Sequence, residues 1–144
     1  MSAIGSHGTL LKIGNGGSPS ETFITIGMVG DISGPKFKLG TEEATSHDST
    51  WREYMPTLLE AGEVSFDIFF DPANETHYST AAGSLYYAQS NKIKNNFKLV
   101  LPDPGAMEIA FGAYVTSLEL KADVEGVLTM SVTLQISGAV TITQ

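Results

Sequence analysis

The sequence predicts a mainly β protein, an antiparallel β domain with one substantial helix laid against the sheet. Apolar residues recur at every second position through most of the chain, the period of half-buried strands. Gly, Pro, Asn and Asp interrupt these runs at short intervals, and the 15 glycines suit many turns. Only the segment after Asp71 carries the three-and-four spacing of a helix face. A chain of 144 residues is long enough for one domain with its own core, so residues 1–144 read as a single domain.

The elements follow in order. "HGTLLKI" (7–13) is a short strand, closed by the turn region "GNGGSPS" (14–20). "TFITIGMVGDI" (22–32) is a second strand with Ile24, Ile26 and Met28 on one face. Gly34-Pro35 marks a turn. Beyond it "KFKLG" (36–40) sets Phe37 and Leu39 against Lys36 and Lys38, which predicts a hairpin with the strand before it. Residues 41–62 show neither period and read as a long loop. "EVSFDIFFD" (63–71) puts Val64, Phe66, Ile68 and Phe70 on one face. Asp71 and Pro72 then read as a helix cap and first helical residue, predicting a helix over 72–90 with Tyr78, Ala81, Ala82, Leu85 and Ala88 towards the sheet.

A second hairpin turns at "PDPG", between a strand holding Phe97, Leu99 and Leu101 and one holding Ile109, Phe111, Ala113 and Val115. The apolar phase then moves to Leu118 and Leu120, which predicts a β-bulge near Thr116 or Ser117. From Leu128 to Ile142 every even position is apolar or glycine, and the odd positions carry no charge. Fifteen extended residues would span about 50 Å, so a bend at Gly138 is expected, with 138–143 continuing towards a neighbouring subunit.

Charge and composition exclude several functions. Eight basic residues face 16 acidic ones, a formal net charge of −8. A protein that grips nucleic acid needs Lys and Arg to displace counterions, so direct binding is disfavoured. The best basic cluster, Lys92, Lys94 and Lys98, reads as a solvated helix end. There is no cysteine, hence no disulfide or thiolate site. No basic, apolar leader opens the sequence and no apolar run reaches ~18 residues, so the chain reads as soluble, made in the cytoplasm, with no membrane partner. His7, His47 and His77 lack metal-ligand spacing and read as three exposed histidines. Asp67 and Asp71 do not suit a carboxylate pair. "GNGG" (14–17) lacks the lysine and helix of a phosphate loop, and no nucleophile motif is present. The expectation is no enzyme, no cofactor and no metal.

A binding surface is better supported. Trp51, Tyr54, Met55, Leu58 and Leu59 crowd into the 41–62 segment. Long loops in compact domains tend to serve a function, and Trp and Tyr anchor interfaces. The alternative is a loop folded back on its own core.

Taken in order, these parts resemble the major tail tube proteins of long-tailed phages with non-contractile tails, the lambda-like tail tube family. The resemblance rests on order and spacing rather than a signature motif, and covers nearly the whole chain. It runs through an N-terminal hairpin, the acidic and aromatic loop ending in "EAGEVSF" (60–66), and "SFDIFFDP" (65–72) leading into "NETHYSTAAGSLYYAQ" (74–89). "FKLVLPDPG" (97–105), "EIAFGAYVTSLEL" (108–120) and "VLTMSVTLQISGAVTIT" (127–143) complete it.

The resemblance implies an antiparallel β-sandwich with one flanking helix and a long inter-subunit loop. Its hexameric rings would stack into a tube with a β-barrel lumen that conducts the genome into the host during ejection. Trp51, Tyr54, Met55, Leu58 and Leu59 would then reach an adjacent subunit or ring. Six copies at −8 each give −48, and an acidic bore would let DNA pass without specific binding. Glu42, Glu43, Glu108 and Glu119, near the sheet ends, are the candidates for that bore. Implied partners are the chain itself, a tape-measure protein, a tail terminator and distal tail proteins, in a virion tail assembled in the host cytoplasm. Many relatives carry an extra C-terminal immunoglobulin-like domain, whereas this sequence ends at Gln144 after the last strand, so a smooth outer surface is expected. Two alternatives stay open: a tube of the type VI secretion kind, and a monomeric β-sandwich that binds carbohydrate or protein.

Overall fold

The computed structural model describes residues 5, 7–14, 21–48, 50–80 and 82–143. Ten strands and one short helix are present among them: β1 (Leu10–Gly14), β2 (Phe23–Thr25), β3 (Val29–Ser33), β4 (Lys38–Glu43), β5 (Tyr54–Glu60), β6 (Glu63–Phe69), α1 (Leu85–Ser90), β7 (Asn95–Val100), β8 (Glu108–Lys121), β9 (Thr129–Ile136) and β10 (Thr141–Thr143). All ladders are antiparallel. The main sheet runs β2-β1-β7-β8-β9-β6-β3, with β10 on β8, and β4 and β5 form a separate two-stranded sheet.

This order forces the sheet to roll up. β2 and β3 lie at opposite ends of a seven-strand path, about 29 Å apart if the sheet were flat. Thr25 and Val29 are four residues apart, so their Cα atoms lie within about 15 Å. Hydrogen bonds tie the connection to both ends: Ile26 N–H donates to the Leu11 carbonyl (2.8 Å), and Phe69 N–H to the Met28 carbonyl (3.0 Å). The result is a sandwich whose two halves share β8. That 14-residue strand pairs with β7 through 108–113 and with β9 through 113–121, and the ladder shifts by one between Val115 and Ser117. The bulge read from the apolar phase is present where a strand must bend from one layer into the other.

The inner faces of both halves make one core. Ile13, Phe97, Leu99, Phe111 and Val115 meet Val64, Phe66, Ile68, Val132 and Leu134, all buried. α1 packs on β8 and adds Leu85 and Ala88. Period-two burial along β6 is complete, with Val64, Phe66 and Ile68 inside and Glu63, Ser65, Asp67 and Phe69 outside.

Several expectations are corrected. The 22–32 run is two strands, because the chain turns at Gly27 and Met28, where Met28 takes φ 54°. Ile26 is buried, while Ile24 and Met28 are exposed. The 36–40 segment does not pair with 22–32: β3 pairs with β6 and β4 with β5. Instead of 72–90, the helix covers only Leu85–Ser90, capped by Ser84, whose Oγ accepts from Tyr87 N–H (3.0 Å). Asp71 accepts from Ala73 N–H in a local turn, and Gly83, at φ 105°, stands just before the cap. Ala81 and most of the 14–20 turn lie outside the described residues. Finally, 141–143 pair with β8 of their own chain, Thr141 opposite Ala110 and Thr143 opposite Glu108, rather than reaching away. Gly138, at φ 96°, marks the expected break between β9 and β10.

Candidate assembly interface

Residues 38–60 form an arm that stands off the sandwich. In place of an irregular loop, β4 and β5 make a hairpin, with Leu39 opposite Leu59, Glu42 opposite Met55 and Glu43 opposite Tyr54. The two strands ladder with each other and not with the main sheet. Every residue of β5 is exposed. Trp51 at the tip is 83% exposed, Leu58 84% and Leu59 82%, with Tyr54, Met55 and Phe37 more than half exposed. The alternative of a loop folded onto its own core does not hold. The ladder slips by one residue between the Leu39–Leu59 and Thr41–Pro56 pairs, so Tyr54 and Leu59 share one face of the arm with Leu39 while Met55 lies on the other, and each face carries apolar residues. An isolated two-stranded hairpin is marginal in water, and this one leaves apolar surface uncovered on both sides.

The tip loop, 44–53, is closed by backbone and side-chain bonds. Ala44 N–H donates to the Glu53 carbonyl (2.7 Å), and Glu53 N–H to Thr45 Oγ1 (3.0 Å). Four carboxylates, Glu42, Glu43, Asp48 and Glu53, sit around the tip with a single Arg, Arg52. At the other end of the arm, a groove of about 490 Å3 opens between the arm base and the break in the last strand. Phe37, Leu59, Glu60, Ala61 and the Gly138–Val140 segment line it.

A second apolar surface escaped the sequence reading. The β8–β9 connection leaves Val124 fully exposed, with Leu120, Val127 and Leu128 also exposed. The available signal was a valine inside the turn "KADVEGVL", where small or polar residues are usual.

The four acidic candidates fall on different surfaces. Glu42 and Glu43 are on the arm, opposite Met55 and Tyr54. Glu108 starts β8 and lies 3.9 Å from Lys98. Glu119 is opposite Ser131 on the outer face of the β8-β9-β6-β3 layer. That face also presents Glu63 and Asp67, with Ser131 Oγ donating to Asp67 Oδ1 (2.9 Å). Asp31 shares a shallow cleft there with Asp67, Ser131 and Thr133, and Lys121 is on the same face. The outer face of the β2-β1-β7 layer is different. Lys12 and Lys98 are cross-strand partners, Lys98 Nζ sits 4.3 Å from the Phe23 ring centroid, and Lys94 approaches Gly112. Lys94 and Lys98 therefore belong to a sheet face rather than a helix end.

His77, expected at the surface, is 1% exposed. It accepts from Asp71 N–H at Nδ1 (3.2 Å) and meets the Gly27 carbonyl at Nε2 (2.6 Å), so its role is structural.

Comparisons agree with this geometry. The tail of an empty GTA particle with C6 symmetry shares 19% identity over 99% of this chain and 100% of that one, with a TM-score of 0.77. An extracellular contractile injection system, in its sheath and tube terminator, aligns at 14% identity over 100% and 99%, TM-score 0.72. The SPP1 tail tube aligns at 16% identity over 93% and 75%, TM-score 0.67. No curated protein sequence matches the chain. The family description "Phage tail tube protein" fits residues 3–142, nearly the whole sequence, and the chain belongs to that family.

Proposed function

We propose that this chain is the repeating subunit of a tail tube, that six copies form a ring, and that stacked rings make a bore through which the viral genome leaves the particle. The observation that carries this reading is the arm, an element with apolar residues on both faces and no cover among the described residues. Trp51, Tyr54, Met55, Leu58 and Leu59 act in it as contacts between subunits. The chain works as a structural element, without catalysis, in the virion tail after assembly in the host cytoplasm. A tape-measure protein, a terminator and distal tail proteins would meet it at the bore and the tube ends.

The bore wall is the outer face of the β8-β9-β6-β3 layer. Asp31, Glu63, Asp67 and Glu119 dominate its charge, and its remaining ladder positions are largely Ser, Thr and Gln. Such a face repels phosphate and offers DNA few grips. The opposite layer, with Lys12, Lys94 and Lys98, suits the tube exterior. Of the four acidic candidates Glu119 fits the bore, whereas Glu42 and Glu43 belong with the arm contacts and Glu108 with the lysine-bearing layer.

Negative-stain microscopy of concentrated protein tests the assembly: rings or tubes are expected. Replacing 44–53 by Asn-Gly, a two-residue turn that closes a hairpin, should leave a folded, β-rich monomer. Tubes of normal yield from that variant would remove the arm tip, with Trp51, from assembly. Reversing Asp67 and Glu119 to Lys together should preserve tubes but slow genome ejection several-fold. Unchanged ejection at normal particle yield would take this face out of the bore.

A further inference from the structure

We propose that the groove at the arm base, bounded by Phe37, Leu59, Ala61, Ala139 and Val140, is the seat for the arm tip of a second copy, with Trp51 as the inserted anchor. The seat presupposes the assembly role proposed above for the arm and adds where the arm goes.

No chain can fill its own groove in this way. Tyr54 and Leu59 are five residues apart on an extended strand, about 17 Å, and Trp51 lies beyond Tyr54. One rigid hairpin thus carries an apolar tip at one end and an apolar seat at the other, so the match is made between copies. Such a contact is head-to-tail, the kind that closes into rings. The break in the last strand helps create the seat: Gly138 interrupts the ladder, and Ala139 and Val140 border the groove between β9 and β10. Pro56 removes one backbone donor from β5, which favours side-chain docking over strand addition.

Charge decides between the two apolar surfaces the arm could meet. The tip carries four carboxylates and one Arg. Lys36 and Lys38 are exposed beside the groove, and Glu60 is opposite Lys38 in the ladder. The β8–β9 connection instead carries Asp123 and Glu125, which would set acid against acid.

The absence of cysteine makes cross-linking clean. Thr50→Cys places a thiol beside Trp51 and keeps the anchor, and Ala139→Cys places one in the seat. Co-assembled single variants treated with a short bismaleimide should give a 50–139 product by peptide mapping, whereas Thr50→Cys with Val124→Cys should not react. A 50–124 product, or normal tubes without 50–139 linkage, overturns the seat. Ala139→Trp is a second test, because Ala139 is exposed and the substitution fills the groove without entering the core. It should raise the concentration needed for assembly at least about tenfold, as when an aromatic anchor loses its pocket, and unchanged assembly counts against the proposal. The Asn-Gly arm variant separates the two claims. If it fails to assemble while the co-assembled Thr50→Cys and Ala139→Cys chains, which keep the tip, form tubes without a 50–139 product, the tip's role stands and the seat is wrong. If it assembles normally, the tip's role falls, and the seat with it.

Discussion

His77 shows how one side chain joins three segments. Its Nδ1 accepts the Asp71 N–H after β6, and its Nε2 faces the Gly27 carbonyl in the β2–β3 turn. A carbonyl only accepts, so the ring proton sits on Nε2. The ring also stacks on Phe70, centroids 6.1 Å apart. Thr76 holds the same turn, its Oγ1 accepting from Gly27 N–H (3.2 Å). This pin fixes the short connection that makes the sheet roll up. His77→Ala removes two buried hydrogen bonds and leaves a cavity, a loss of about 2–4 kcal/mol. The melting temperature should fall by on the order of 10 °C in a calorimetric scan. A scan that matches the wild type would show that the ring merely fills space. An isolated histidine has no period in sequence, so nothing at position 77 distinguished a buried pin from a surface residue.

Elements were legible in proportion to how one-sided their burial is. β6 buries every second residue, β9 does so from Val132 to Ile136, and β8 keeps an apolar period in its sequence on both sides of a bulge, so period and phase revealed all three. The arm defeats this method because both of its faces are exposed, and without a buried face no alternation arises. Its residues nevertheless stood out by type, since five large apolar side chains in a segment without a core partner imply one outside the chain. The helix was overestimated because its first half is built from competing bonds. Asn74 Oδ1 accepts from both the backbone and the hydroxyl of Thr76 (2.9 and 2.6 Å), the kind of local pairing that replaces helix. The 22–32 run concealed its turn because Met28 continues an apolar alternation while its backbone breaks it. The four acidic positions, read by nearness to strand ends, were scattered because sequence order does not say which layer a strand end joins.

The whole molecule has unlike ends, and tube growth needs them. The arm base precedes Glu63, which pairs with Gln135, whereas the β8–β9 connection lies beyond the pairing of Phe69 with Thr129. The two uncovered apolar surfaces are therefore separated by the length of β6, about 20 Å. A subunit with different poles adds to the next in one direction only, and an unclosed contact of that kind repeats without limit. If the arm seats laterally in the base groove, the β8–β9 end is left to meet the next ring. Val124→Asp with Val127→Asp adds charge to that end, where Asp123 and Glu125 already stand. Both valines are exposed, so the monomer should melt within about 2 °C of the wild type, since exposed substitutions rarely exceed ~0.5 kcal/mol. Rings should still form, but the concentration at which tubes appear should rise by about tenfold or more. Micrographs showing tubes at the wild-type concentration would assign stacking to another surface. Loss of rings together with tubes would place this end in the lateral contact instead.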